Sequence, residues 1–326
     1  MIKHSTLLAL AAGLALSPAL AEDSFPVTIE HALGTTTIEA KPQRVVTWGW
    51  SAQDVVIDLG LAPVGMPFYT YGGGEDGVLP WTEEAIAANG MTMPVVLPNA
   101  GQLPIEAIAA LQPDLILAPY SGLSEEEYAV LSNVAPVVAY PEKPWFISWQ
   151  DVVRLTGQAL GESDKADALI AETQAWLAEE TAPYPEMQGL IFANFVNRND
   201  GQVSVRSAGD PRVELFGDLG MVPAGKPDLA DGEADSYYYL LSYENFDRIP
   251  AEVLISFFDN EDAANAFFGM DLIQLSPLVQ KGAYTRLVGE DLTMAVSGAI
   301  TPLSLRWGFP MVAEELGRAV EAAVAE

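Results

Sequence analysis

The apolar positions of the chain change their period along its length, and the changes mark out its elements. Residues 163–181 contain no Gly or Pro, and Ala166, Leu169, Ile170, Thr173, Trp176 and Leu177 fall on one face at helical spacing. This predicts an amphipathic helix about 28 Å long at roughly 1.5 Å per residue. Ser163 is expected as its N-cap, with Asp164 in the first turn, and Ala182-Pro183-Tyr184-Pro185 ends it. Short continuous apolar runs read as buried strands: 44–48, 64–66, 115–118 and 137–139 before the helix, and 189–195, 202–205, 253–257 and 284–288 after it. Helical patterns such as 51–59 and 211–219 lie between them. Strands alternating with helices predict an α/β fold with mostly parallel sheets.

Two internal repeats divide that pattern. Leu59-Gly60-Leu61-Ala62-Pro63-Val64-Gly65 recurs 160 positions later as Leu219-Gly220-Met221-Val222-Pro223-Ala224-Gly225. In both copies the first glycine stands where a helix-terminating glycine belongs. The stretch 103–117, with Glu106 near its start, is matched 138 positions later by 241–255, with Glu244. Both read as a short amphipathic helix followed by a buried strand. Chance similarity of two βα units is the alternative, but the shared order favours two lobes of one topology. The expected organisation is a lobe over 22–162, a single long backbone helix over 163–182 and a second lobe over 183–326. The ligand cleft is then expected between the lobes, beyond the carboxyl ends of the strands. The other arrangement packs the helix wholly on one lobe.

Residues 1–21 read as an export signal: Lys3 and His4, an apolar run too short to span a bilayer, a Ser17-Pro18 break, and Ala19-Leu20-Ala21 as the cleavage site. No later stretch is long and apolar enough for a membrane span, so a periplasmic protein cleaved near Ala21 is expected. Composition then narrows the chemistry. The 326 residues carry 45 acidic and 15 basic side chains, a formal net charge of −30, no cysteine and two histidines. That charge argues against nucleic acid and anionic membrane surfaces as general partners. Without cysteine there is no disulfide, thiolate metal site, Cys nucleophile or lipid anchor on Cys. His4 and His31 cannot build a multi-His metal site.

Enzyme signatures are missing as well: there is no G-x-S-x-G, H-E-x-x-H or Walker A motif. Gly72-Gly73-Gly74 lacks the lysine and hydroxyl of a phosphate loop and reads as a flexible loop. Asp228, Asp231, Glu233 and Asp235 form an acidic stretch without EF-hand spacing, which reads as solvated surface. The chain is therefore expected not to be an enzyme and to need no cofactor. Aromatic residues stand out at strand ends: Trp48, Trp50, Tyr69, Tyr71, Tyr120, Phe258 and, near the C-terminus, Trp307. Taken singly each is as readily core edge as site; together they look like the wall of a ligand cleft. Tyr237–Tyr239 either join that wall or pack an edge strand. Arg206 and Arg306 either meet an anionic group in the cleft or neutralise the acidic surface.

The chain resembles the periplasmic substrate-binding proteins of ABC importers for iron–siderophores, vitamin B12 and haem. The carriers are Pro42-Gln43-Arg44-Val45-Val46, Asp58-Leu59-Gly60-Leu61-Ala62-Pro63-Val64-Gly65, the Ile105–Ala118 block with its Glu-Ala-Ile and Pro-Asp-Leu-Ile, and residues 149–171, with a weaker match in Leu215–Gly220, Ser276-Pro277-Leu278 and Lys281-Gly282. This resemblance implies two lobes bridged by one long helix, with the ligand between them. It also implies docking of one glutamate per lobe onto an inner-membrane ABC permease dimer, by motif Glu106 and Glu244. The alternative for these two is a helix N-terminal carboxylate favoured by the dipole. A preformed ferric siderophore is the expected cargo of a monomeric carrier, since a bare-metal carrier needs a histidine set that is missing here. Haem, with Tyr69, Tyr71 or Tyr120 as an axial phenolate, and cobalamin are the alternative cargoes. A ligand-presenting sensor component is the alternative role.

Overall fold

The computed structural model describes residues 24–232 and 236–325. The expected export signal, 1–21, lies outside the described residues, as do Glu233 and Asp235 of the acidic stretch. No helix among the described residues is long and apolar enough to cross a membrane. The chain begins with a hairpin that the apolar pattern did not single out, β1 (Val27–His31) against β2 (Gly34–Ile38). Then come β3 (Val45–Thr47), α1 (Ala52–Asp58), β4 (Gly65–Pro67), α2 (Pro80–Ala88), β5 (Val95–Leu97), α3 (Ile105–Ala110), β6 (Leu115–Leu117), α4 (Glu125–Leu131), β7 (Val137–Val138) and α5 (Trp149–Leu160).

The five strands β5-β4-β3-β6-β7 form one parallel sheet. Helices cover such a sheet on both faces, which is why β3, β4, β6 and β7 are buried throughout and read as unbroken apolar runs. β5 escaped the pattern because it is an edge strand, with Val95 half exposed. The strand order reverses between β3 and β6, so their carboxyl ends flank a topological switch point.

Past α6 (Ser163–Thr181) the second half contains β8 (Ile191–Asn197), β9 (Gln202–Arg206), α7 (Pro211–Asp218), β10 (Val222–Pro223) and β11 (Tyr238–Ser242). A 3-10 turn over Tyr243–Arg248 follows, then β12 (Val253–Phe258), α8 (Glu261–Phe268), α9 (Asp271–Gln274), α10 (Pro277–Lys281), β13 (Leu287–Val288), α11 (Glu290–Ser297) and α12 (Pro302–Val324). This sheet is mixed: β10, β12 and β13 run parallel with β8, while β9 runs antiparallel to both of its neighbours, β8 and β11. The two repeats recur as structure. Gly60 and Gly220 follow α1 and α7 in the left-handed region, at φ +93° and +89°. The helix carrying Glu106 leads into β6, which pairs β3; the 3-10 turn carrying Glu244 leads into β12, which pairs β8.

Helix α6 has the predicted bounds, but its N-cap is Glu162, which makes no side-chain capping bond. Glu162 instead forms ion pairs of 2.7 Å with Lys41 and Lys165. The helix packs its buried face, Ala166, Ile170, Thr173 and Leu177, onto α5 and α12. It is not the only tie between the halves. Helix α12 starts with a reciprocal Thr301–Ser304 capping box and Pro302 at its first position. That start returns to the first lobe, where the Thr301 hydroxyl donates to Asp54 at 3.0 Å and Trp307 packs on Trp81 at 5.5 Å between ring centroids.

Asp54 is fully buried on α1, and its carboxylate also accepts Trp81 Nε1 (2.6 Å), the Thr82 hydroxyl (2.6 Å) and Gln53 Nε2 (3.1 Å). Burial pushes its carboxyl up to about 6, against the pull of these four donors. One turn on, Asp58 is pushed up to about 7 by burial, in spite of Arg306 at 3.9 Å. An unfolded chain releases both protons near the ordinary carboxylate range, so raising the pH from about 4 to about 7 favours the unfolded state at these two sites. Urea denaturation is expected to give a wild-type stability that falls between about pH 4 and about pH 7. The fall is expected to be shallower in Asp54→Asn, and equal slopes in the two proteins would rule out the Asp54 contribution.

Candidate functional site

The first wall of the site grows out of the switch point. The chain leaves β3 through Trp48-Gly49-Trp50 and leaves β6 through Tyr120-Ser121, and the two exits are bonded together: Trp48 N–H to the Leu117 carbonyl and Trp50 N–H to the Tyr120 carbonyl, both at 2.8 Å. Gly49 is required there. Its φ is +85°, and a Cβ would collide with the Tyr120 carbonyl oxygen. Trp48 and Trp50 line a recess of about 190 Å³ together with Trp145. Trp50, Tyr120 and Trp145 form a closed aromatic triad, with ring centroids 5.4 to 5.9 Å apart.

Within electrostatic reach of Tyr120 the second lobe presents a cationic cluster. Arg206, at the end of β9, donates to Asn194 (2.8 Å), Asp210 (3.3 Å) and Ser297 (3.2 Å). Arg212, in the first turn of α7, donates through Nε to Asp210 at 2.8 Å and through Nη2 to the same carboxylate. Asp210 also caps α7, accepting the Arg212 backbone N–H at 2.9 Å. Burial alone would raise the Asp210 carboxyl; the Arg212 hydrogen bonds and the two guanidinium charges hold it below its ordinary value. Burial, then the like charge of Arg212, pushes Arg206 down to about 10, still charged at neutral pH.

Two cations share one carboxylate, so the cluster keeps a surplus positive charge. Tyr120 across the seam feels the charges of Arg212, Asp210 and Arg206, although burial dominates and raises its hydroxyl pKa. The two arginines play different parts. All three donor nitrogens of Arg206 are committed to protein partners. Arg212 is about a quarter exposed, and its Nη1 has no hydrogen-bond partner among the described residues.

Other contacts close the rim between the lobes. The Tyr71 hydroxyl donates to Asp259 at 2.5 Å, the Tyr237 hydroxyl to the Pro144 carbonyl at 3.0 Å, and Gln150 to Asp218 at 2.6 Å. The glycine run read as a flexible loop packs on the other lobe: Gly72 N–H points at Glu290 (3.4 Å), and a Cβ at Gly72 would touch Met294.

Of the sequence candidates, Tyr120 lies within electrostatic reach of Arg206, Trp50 packs on Tyr120, Trp48 lines the adjoining first-lobe recess, and Tyr71 bonds to Asp259 at the rim. The rest lie elsewhere. Tyr69 is buried and donates to Gln53 at 2.9 Å, which makes it part of the Asp54 network. Phe258 is buried among Phe267 and Phe268. Arg306 and Trp307 sit on α12 against Asp58 and Trp81, at the lobe junction. A strand-end aromatic or a lone arginine says nothing of which face its side chain takes: Tyr69, Phe258 and Trp307 took a packed one, and Arg306 is exposed beside Asp58. Of the Tyr237–Tyr239 run, Tyr237 reaches the seam, Tyr238 is exposed and Tyr239 is buried. Trp145, Asp210 and Arg212 went unread. Asp210-Pro211 carried a usable signal, an N-cap followed by Pro at the first helical position. Trp145 lies in a loop at φ +58° and carried none. Glu106 and Glu244 are both exposed, each in the first turn of its helix.

A family model described as "Periplasmic binding protein" matches residues 45–281. Among solved structures, that of PiaA from Streptococcus pneumoniae in complex with ferrichrome superposes with a TM-score of 0.79 at 32% identity, covering 91% of this chain and 99% of that one. The ferric enterobactin-binding periplasmic protein FepB of Escherichia coli is 26% identical over 288 residues, 82% of this chain and 86% of that protein. The Fe(3+)-citrate-binding protein YfmC of Bacillus subtilis is 26% identical over 223 residues, 68% and 65% of the two chains.

Asp210 is the residue on which the cationic cluster depends, because removing its charge leaves two guanidinium groups side by side, one of them buried. Asp210→Asn is expected to cost about 3 kcal/mol of stability in urea denaturation. A loss below about 1 kcal/mol would show that the arginines do not need it.

Proposed function

The chain belongs to the periplasmic binding protein family, and on that premise we propose that it captures a ferric siderophore in the seam between its lobes and delivers it to the permease of an ABC importer. One observation carries this reading: Tyr120, packed with Trp50 and Trp145, lies within electrostatic reach of an arginine pair that shares one carboxylate. Flat apolar faces suit the organic shell of a chelate, and the free Nη1 of Arg212 suits an anionic oxygen on it. Arg206 acts by holding Asp210, and through it Arg212, in place. Haem is less well served, because Tyr69 and Tyr120 are buried and Tyr71 is engaged with Asp259.

Export to the periplasm through residues 1–21, a monomeric state and the absence of enzymatic activity belong to the same proposal. So does docking of Glu106 and Glu244 on the permease. The two carboxylates are exposed, occupy corresponding places in the two lobes, and make no ion pair among the described residues.

Titration of the purified mature protein with ferric siderophores, haemin and cobalamin, followed by Trp fluorescence, is expected to give a ferric siderophore binding below roughly 10 μM, about −7 kcal/mol. Arg212→Ala is expected to weaken an anionic chelate by roughly 1–3 kcal/mol. If no siderophore binds below that limit, the cargo assignment is wrong. Separately, Glu106→Ala/Glu244→Ala is expected to abolish uptake by cells while leaving binding intact; unchanged uptake would remove these residues from the docking surface.

A further inference from the structure

Beside the arginine pair, on the second-lobe side of the seam, lies a recess of about 480 Å³ whose walls include Lys143, Ser207, Gly209, Lys226 and Tyr239. In a chain with 45 acidic and 15 basic residues, it is lined by two lysines and by no Asp or Glu among the described residues. Neither lysine has a carboxylate within ion-pair distance among those residues. The Lys143 ammonium lies over aromatic rings, 4.1 Å from the Phe146 centroid and 5.2 Å from that of Tyr237. Lys226 gives one of its three N–H groups to the Gly232 carbonyl.

A second, independent observation concerns Tyr239. It is 1% exposed, and its hydroxyl is buried without a hydrogen-bond partner. A buried hydroxyl left unpaired costs about 1–3 kcal/mol, so such a group is an exception that calls for a partner. A Cβ at Gly209 or Gly225 would meet nothing within 4 Å among the described residues.

We propose that this recess binds a carboxylate group on the periphery of the cargo, held by Lys143, Lys226 and the Tyr239 hydroxyl, and so selects carboxylate-bearing ferric chelates over uncharged ones. The inference deepens the siderophore reading and rests on it. It differs in its residues from the Arg212 contact. Tyr237, which lies under Lys143 and feels the charges of Asp210 and Arg212, makes the two sites neighbours along one seam.

The test is calorimetry of the full mature protein, wild type against Lys143→Met/Lys226→Met and Tyr239→Phe. The probes are iron-free citrate, ferric dicitrate and ferrichrome, an uncharged tris-hydroxamate chelate. Both lysines are exposed, so the double variant is expected to fold. The expected result is citrate binding by the wild type, with affinity for citrate and ferric dicitrate at least tenfold weaker in the double variant, a few-fold weaker in Tyr239→Phe, and ferrichrome unchanged throughout. The proposal is overturned if the wild type does not bind citrate, if the double variant binds it equally, or if ferrichrome weakens in parallel. Binding of citrate that depends on the lysines, with no binding of any iron chelate, would keep the recess and reject the siderophore reading.

Discussion

The first-lobe side of the seam is built on one buried carboxylate that takes no part in the site itself. Asp54 is fully buried with no cation in contact, and it is held by four donors drawn from α1, α2 and the first residue of the α12 cap. Hydrogen bonds to a charged group are each worth more than neutral ones, and each donor left unpaired would cost its own desolvation. The four therefore hold or fail together. Tyr69 joins through Gln53, so a fifth side chain, from the β4 exit, is fixed by the same centre. The consequence reaches the site directly: α1 begins only two residues after Trp50, and the same anchored segment carries the aromatic wall.

That centre also explains why the two halves are not joined by α6 alone. A single helix fixes the distance between two bodies but leaves them free to twist about its axis. Helix α12, anchored at Thr301 and packed against α1, α2 and α6, removes that freedom at the base of the seam. The rim is different in kind. Tyr71–Asp259 and Gln150–Asp218 are exposed polar contacts, worth about 1 kcal/mol or less each in water. The junction between the lobes is thus buried at its base and solvated at its rim.

Much of this architecture was legible because it depends on periodicity. The buried parallel strands read as apolar runs, and α6 as an uninterrupted helical face. The repeats at 160 and 138 residues placed Gly60 with Gly220 and Glu106 with Glu244. The β1–β2 hairpin and edge strand β5 escaped because alternating or half-exposed segments carry a weaker signal than fully buried ones. The site was harder to read, and for a physical reason. Which face a side chain takes at a strand end is decided by tertiary partners, so Tyr69 and Trp50 look alike in sequence. One ends in the core at the Asp54 network; the other stands in the wall. The return of α12 to the first lobe had no local signature, because Thr301 and Asp54 are brought together only by the fold.

The charge of the chain has to be read at two ranges. A formal net charge of −30 repels an anionic ligand at a distance, but at 0.1 M salt that field is screened within about 10 Å, so it governs solubility more than recognition. Inside the seam the sign reverses. Arg206, Arg212, Lys143 and Lys226, four of the chain's 15 basic residues, gather along it, with Asp210 as the single carboxylate joining the arginines. Asp210 satisfies both guanidinium groups without cancelling them, and because it also caps α7 it ties their position to the backbone. A fully neutralised pair would have packed as well and attracted nothing. The cationic cluster exists because one acid serves two bases, and this is what leaves it net positive in so acidic a chain.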